Sequence, residues 1–426
     1  MGGDSSAGGP LALVATCASG LEEILAGEMR SLGIEPDLTG ERGPTGGNDA
    51  TGPGAEAGGG AAGRRERHGA IGFTGGWADC WRANWRLRTA NRILVELGSW
   101  EAGDGAALAA GARALAAGRG GLDGTRGGLG GLDGGSLLHP DRTFAIHATA
   151  AASRIRDARW AALTVKDGLV DGQRERWGRR SDVDRADPEL ALRLRLHADR
   201  ATLLLDTSGE PLDRRGYRVR STAAPVREQL AAACVLASDW NGQGPVVDPM
   251  CGSATLLIEA AWVALGIAPG RLRESWAFER LPGFAPAAFA AIQAEPLPVP
   301  GPEVRLFGND RSAEALRAAR ANLARAGLEG RSVLRRGEAA EFAPADGLDG
   351  GPGLVLVNPP YGERVAADAP SWRALGDLLK KRYRGWQAVV LAGGEGRGKH
   401  IGLRPRRRIP VKNGPLDARI LLFDLF

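Results

Sequence analysis

Along residues 11–206, apolar and polar positions alternate in short runs separated by longer amphipathic stretches. The opening "LALVATCASGLEEILAGEMRSLGI" (11–34) reads as a strand, a turn at Ser19-Gly20 and a helix with Leu21, Ile24, Leu25 and Met29 near one face. Strand patterns return at "AIGFTGG" (70–76) and "RILVELGSW" (92–100), with a helix expected from about Cys80 to Ala90 between them. From 141 onward the order is strand ("TFAIHATA"), helix ("DARWAALTVKDGLVDGQRERWG") and two strands ("LALRLRLHAD", "ATLLLDTSG"), an α+β module whose alternation implies a sheet with one covered face. Two stretches lack any period. Residues 40–70 have almost nothing apolar to bury, and 101–136 repeat Gly-Leu-Asp-Gly; both are expected to be loop or flexible insertion.

From 226 the rhythm changes to strand and helix in turn: helix 226–240, strand "VVD", turn "PMCGS", helix 254–265, a Pro-rich segment, then strand "EVRLFGND" and helix 312–328. Strands "RSVLRRGEA" and "GLVLVNPP", helix "WRALGDLLKKRY" and strand "QAVVLAGG" follow, and two extended runs around Asn413-Gly414 signal a hairpin. Repeated units of this size predict an α/β fold, a mainly parallel sheet with helices on both sides, finished by an antiparallel hairpin. The segment 207–225 reads as a linker, in which Arg214, Arg215, Arg218 and Arg220 form either a solvated stretch or an RNA-facing patch.

Composition adds limits. A chain of 426 residues can bury two or three cores, and its four scattered cysteines show no metal-ligand spacing, which argues against a disulfide framework or a zinc site. No apolar run approaches the ~20 residues that cross a bilayer, and the start lacks the basic-then-apolar order of a secretory signal, so a soluble, cytoplasmic protein is expected. The formal charge of +5 suits an anionic partner, although the basic excess is nearly all arginine, as composition bias would also produce.

The candidate chemistry sits at strand ends. In "DPMCGSAT" (248–255), Gly252 lets backbone approach a ligand, Ser253 or Thr255 can cap or donate, and the free N–H groups of the next helix suit a phosphate or a carboxylate. The turn has neither a Gly-Lys-Ser/Thr ending nor the three-glycine dinucleotide fingerprint. Asp310, ending the next strand, can accept from both hydroxyls of a ribose or simply open the following helix, where Ser312 is a competing cap. Glu338, after the third strand, can accept from an adenine amino group or remain a solvated acid. In "NPPYGER" (358–364), Asn358 Oδ1 and the Pro359 carbonyl can accept the N–H bonds of an exocyclic base amine and aim it at a sulfonium methyl. Pro359 and Pro360 stiffen the backbone, Tyr361 can stack on the base, and Arg364 can meet a phosphate. No metal is required.

Taken in order, "TCASGLEEILAGEM", "RTANRILVEL", "VKDGLVD", "LDTSGEPLDRRGYRVRSTAAPVREQLAAA", "DPMCGSATLLIEAA", "NPPYGERV" and "VKNGPLDARI" resemble the THUMP-containing class I S-adenosylmethionine-dependent RNA guanine-N2 methyltransferases, most closely the bacterial 23S ribosomal RNA family. The resemblance implies a Rossmann-like methyltransferase domain (226–426), ferredoxin-like elements (11–69), a THUMP-like RNA-binding region (70–206) and a linker (207–225). It implies donor contacts by Asp248, Pro249, Cys251, Gly252, Ser253, Asp310, Glu338 and Asn358, and a base site of Asn358, Pro359, Pro360 and Tyr361. RNA contacts fall to Lys166, Arg214, Arg215, Arg218 and Arg364, the partner being 23S rRNA or a large-subunit assembly intermediate, with a monomer compatible. Departures are Ala254 where the family has glycine, Glu338 for aspartate, and Asp213 for a basic residue. Some relatives carry a second methyltransferase; a chain ending after one catalytic domain is expected to have a single activity. Guanine-N2 methylation of transfer RNA, and a catalytically impaired RNA-binding or ribosome-assembly role, stand as alternatives.

Overall fold

The computed structural model describes residues 10–38, 69–119, 137–222, 225–342, 352–360, 369–394, 397–414 and 416–426. They build two seven-stranded sheets. The first has the order β2-β3-β1-β4-β7-β6-β5 and uses β1 (Leu11–Thr16), β2 (Pro36–Asp37), β3 (Ala70–Gly75), β4 (Arg92–Glu101), β5 (Phe144–Ala151), β6 (Leu190–His197) and β7 (Arg200–Asp206). Every pair is antiparallel except β5 with β6. In β6 the leucines are buried while Arg193, Arg195 and His197 stay partly exposed, as its alternation predicts. Helices α1 (Glu22–Ser31) and α2 (Trp77–Arg86) complete the β1–β4 half. Because β3 pairs with β1 over their full length, the expected boundary at 69/70 cuts through a paired unit; the first half of this sheet extends through β4.

The expectation of a structureless 101–136 is corrected as well, since Gly105–Ala116 forms a helix, α3. Its alanines favour the helix, the Asp104 carboxylate accepts from Ala107 N at 2.8 Å as the N-cap, and its buried side packs on α4 (Ala158–Trp177). The approach is close because Gly168 and Gly172 of α4 have no side chain; a Cβ there would lie 2.4 Å from the Ala109 carbonyl oxygen and 2.3 Å from that of Arg113. Residues 120–136, like most of 40–70, lie outside the described residues.

The second sheet has the order β10-β9-β8-β11-β12-β14-β13. Its strands are β8 (Val246–Asp248), β9 (Leu306–Asp310), β10 (Ser332–Arg336), β11 (Leu354–Val357), β12 (Gln387–Gly393), β13 (Arg407–Asn413) and β14 (Leu416–Asp424). The first five are parallel and β14 runs antiparallel to both of its neighbours, β12 and β13, the hairpin turning at Asn413-Gly414. The helices are α5 (Glu228–Leu236), α6 (Thr255–Ala264), α7 (Pro286–Ala294), α8 (Ala313–Arg325) and α9 (Ala369–Arg382). Helix α7 lies in the stretch expected only to be Pro-rich, where Pro286 at the first helical turn starts the helix.

The linker is only partly solvated: Leu212, Arg215 and Tyr217 are buried while Arg214 and Arg220 are exposed. Arg273 donates to the carbonyls of Ser208, Glu210, Pro211 and Arg214, and its guanidinium lies 4.4 Å from the Trp276 ring centroid. Arg215 enters the core, donating to the Leu212 and Arg88 carbonyls, with Nε 3.5 Å from Glu259 Oε1. Tyr217 donates its hydroxyl to the same Glu259 oxygen at 2.8 Å. Arg88, from the connection before β4, donates to the Trp262 and Ile267 carbonyls. The two sheets are therefore joined through buried polar contacts as well as through chain connectivity.

Candidate functional site

The parallel strands converge on the turn after β8. Asp248 pairs in register with Gly308 of β9, and Val247 with Val355 of β11, so Asp310 and Asn358 each stand two residues beyond the level of Asp248, on opposite sides of the turn. With neighbouring strands ~4.8 Å apart, the two positions lie about 10 Å apart on either side of the turn. This is the carboxyl edge where open parallel sheets hold ligands.

Within the turn, Asp248 is buried and its Oδ1 accepts from Met250 N at 3.0 Å; burial, with the nearby Asp310 charge, pushes its carboxyl well above the usual range. Cys251 is bound to β9 through its N–H and the Asn309 carbonyl at 2.8 Å, and burial raises its thiol far from reactivity. Gly252, at φ +52°, donates its N–H to Asp310 Oδ2 at 3.0 Å. A Cβ at Gly252 would meet nothing nearer than Thr222 Oγ1 at 3.9 Å, so the glycine leaves an open cradle. Ala254 occupies the left-handed region at φ +66°, ψ +22°, directly before α6; this is the backbone angle that explains why glycine suits the position.

The Asp310 carboxylate serves two partners. Beyond Gly252 it accepts from Ser312 N at 2.8 Å through Oδ1, while Ser312 Oγ caps α8 by accepting from Ala315 N at 3.2 Å. Asp310 thus helps open the helix, and its half-exposed carboxylate keeps lone pairs for a further donor. Glu338 is exposed at the exit of β10, one residue past Gly337, whose N–H meets the Asp310 carbonyl.

Asn358 follows the fully buried β11, and its Oδ1 is buried without a hydrogen-bond partner among the described residues. A buried acceptor left unmatched costs about 1–3 kcal/mol, so this oxygen stands ready for a donor. Pro359 is buried and Pro360 partly so; Tyr361, Gly362 and Arg364 lie outside the described residues.

The expected RNA-contact residues are corrected in part. Arg215 is 1% exposed and committed to the core, because only there are the Arg88 and Leu212 carbonyls and Glu259 within its reach. Arg218 is also spent internally, on Glu228, Val226 and Ser253. Arg214 is exposed and pairs with Glu210, and Lys166 pairs with Asp167 at 2.5 Å. Two residues escaped the sequence reading. Asn309, 2% exposed, donates to the Pro249 carbonyl at 3.1 Å and to that of Gly337 at 3.0 Å, tying two loops to β9; Asn322 is described below. Their signal was an amide inside an apolar run, which local pattern treats as surface.

An open glycine cradle, a half-exposed acid on the neighbouring strand and an unmatched amide oxygen across the crevice fit a nucleoside-bearing methyl donor. With this strand order, they define a class I methyltransferase, whose cofactor is S-adenosylmethionine; bound, it supplies an electrophilic methyl group on a sulfonium. Among the described residues, no group of three or more His, Cys, Asp or Glu is placed to hold a metal ion. The RMKL-like methyltransferase domain family matches residues 215–421, the THUMP domain 132–206 and the RlmL ferredoxin-like domain 12–43 and 57–94. A ribosomal RNA large subunit methyltransferase K/L from Methylococcus capsulatus is 35% identical over 96% of this chain and 51% of its own length. A relative from Synechocystis, provisionally named an RNA methyltransferase, is 33% identical over 67% of this chain and 75% of its own. The crystal structure of SMU.472 complexed with SAH shares the fold at a TM-score of 0.77 and 24% identity, covering 98% of this chain and 99% of that one. The chain belongs to this family of THUMP-bearing methyltransferases. It spans about half the length of the K/L relatives it matches.

Proposed function

We propose that the protein methylates the exocyclic N2 amine of a guanine in 23S ribosomal RNA, acting in the cytoplasm on the rRNA or a large-subunit assembly intermediate. The observation that carries this reading is the buried, unmatched Asn358 Oδ1 at the edge of the donor crevice. Asn358 and the Pro359 carbonyl accept the two N–H bonds of the amine and orient its lone pair toward the donor. As the nitrogen becomes tetrahedral and positive, the same two oxygens stabilise it. A guanine inside folded RNA must be exposed or extruded to reach them, and the THUMP-bearing sheet holds the surrounding RNA. The names of the K/L relatives support ribosomal RNA as the substrate.

The test is to offer undermodified total RNA with a labelled methyl donor and to map the product. N2-methylguanosine in large-subunit rRNA, nearly lost in Asn358→Ala with folding and donor affinity retained, is the expected result. Label confined to transfer RNA would move the substrate to tRNA, and RNA binding with no transfer would leave a noncatalytic role.

A further inference from the structure

The linker touches the donor turn through two side chains that the transfer itself does not employ. Asn322, fully buried in α8, uses its whole amide: Oδ1 accepts from Val219 N at 2.9 Å and Arg220 N at 3.1 Å, while Nδ2 donates to the Arg220 carbonyl at 2.9 Å and the Ser253 carbonyl at 3.0 Å. Arg218 spreads its guanidinium over Glu228 Oε1 at 2.8 Å, the Val226 carbonyl at 2.8 Å and Ser253 Oγ at 3.2 Å. Ser253 therefore has both of its oxygens anchored, one by the linker and one by a side chain bonded to the linker. It sits between Gly252 and Ala254, whose positive φ angles of +52° and +66° shape the cradle. An asparagine in a helix interior and a largely buried arginine are both unfavourable unless their hydrogen bonds are made. Here those bonds converge on one residue of the donor turn.

We propose that Arg218 and Asn322 are positioning residues for the methyl donor: by holding Ser253 through both oxygens they keep Gly252–Ala254 in the receiving conformation, and they tie it to the seating of the linker between the two sheets. This deepens the proposed function but rests only on its donor half. Its test accordingly uses donor binding without RNA, so that an error in the RNA target leaves the result untouched.

The experiment is calorimetric titration of the full chain with S-adenosylhomocysteine. Arg218→Lys keeps a positive charge opposite Glu228, but one ammonium cannot serve the carboxylate, the Val226 carbonyl and the Ser253 hydroxyl with the fork geometry of arginine. Affinity is expected to fall about tenfold in Arg218→Lys, the equivalent of one lost hydrogen bond. Ser253→Ala, which also alters an expected donor contact, should lose at least that factor, and the double variant no more than Ser253→Ala alone, because the Arg218–Ser253 contact is then already gone. Asn322→Asp, which keeps the acceptor for Val219 and Arg220 N–H but removes the donor to both the Ser253 and the Arg220 carbonyls, should lose at least as much. In transfer assays, the donor KM of Arg218→Lys rises while kcat at saturating donor stays within about twofold, a split that general damage to the fold would not produce. Wild-type affinity in folded Arg218→Lys, or fully additive losses in the double variant, overturns the role of Arg218; wild-type affinity in Asn322→Asp overturns that of Asn322. If Arg218→Lys does not fold, Arg218→Gln carries the test, since one amide cannot serve Glu228, the Val226 carbonyl and Ser253 Oγ together: normal binding in the folded variant overturns the proposal, and weakened binding supports it.

Discussion

The two sheets have the same number of strands and opposite strategies. In β6 of the first sheet every second residue is buried, whereas β11 of the second is buried at every position. In this mostly antiparallel sheet β6 keeps its polar side chains on one face, with Arg193 and Arg195 among the leucines. The central parallel strands β8 and β11 are covered on both faces and leave only their ends for chemistry, where Asp248 and Asn358 stand with Asp310 and Glu338 from the neighbouring strands. The contrast teaches where a polar residue carries information. On the first sheet a single charge says little; at the end of a wholly apolar strand it marks the crevice.

The largest effect expected from that contrast is at Asn358. Asn358→Ala should lower single-turnover methyl transfer by about 100-fold or more, the cost of removing one preorganised contact to developing charge, while leaving calorimetric donor binding intact. Retained transfer would mean that strand-end position does not identify the reacting site. Next come two adjacent arginines that sequence cannot tell apart. Arg215→Ala should cost about 3–5 kcal/mol in chemical denaturation, because it strands the buried Glu259. Arg214→Ala, at an exposed pair with Glu210, should cost less than about 1 kcal/mol.

Asp248 sharpens the comparison through pH. Its carboxyl is held well above the ordinary range by burial, so at pH values above that range the folded chain retains a proton that the unfolded chain has released. This contribution to stability is greatest in acid and is lost as pH rises from the unfolded value toward the folded one. Asp248→Asn should remove that decline from the melting-temperature profile, and an unchanged slope would place its origin elsewhere. The smallest effect is expected at Ala254. Relief of about 1–2 kcal/mol from the left-handed backbone in Ala254→Gly is offset by a lost buried methyl of ~0.8 kcal/mol and by glycine entropy, so stability should change by less than about 1 kcal/mol. Ala254→Val, β-branched at the same angle in a fully buried position, should instead unfold at clearly lower denaturant. Near-neutrality of the glycine variant would show that the fold accommodates alanine at this turn.

Much of the architecture was legible because it depends on local periodicity. The strand–turn–helix around Gly252, the apolar β11 running into Asn358 and the hairpin at Asn413-Gly414 are all written in consecutive residues. Helix α3 escaped because its signal is alanine propensity inside a Gly-rich stretch, and its packing depends on Gly168 and Gly172, more than 50 positions away.

By itself, the sequence determined which residues end the parallel strands, and therefore which acid and which amide border the crevice, since a strand's end follows from its own apolar run. Only the tertiary structure decided what surrounds them: that Arg215 is core and Arg214 surface, that Asp310 also holds the Gly252 amide, and that Asn322 clasps the linker to Ser253. The physical reason is that a hydrogen bond or ion pair is settled by the partner's distance in space, and these partners stand tens to more than a hundred positions apart along the chain.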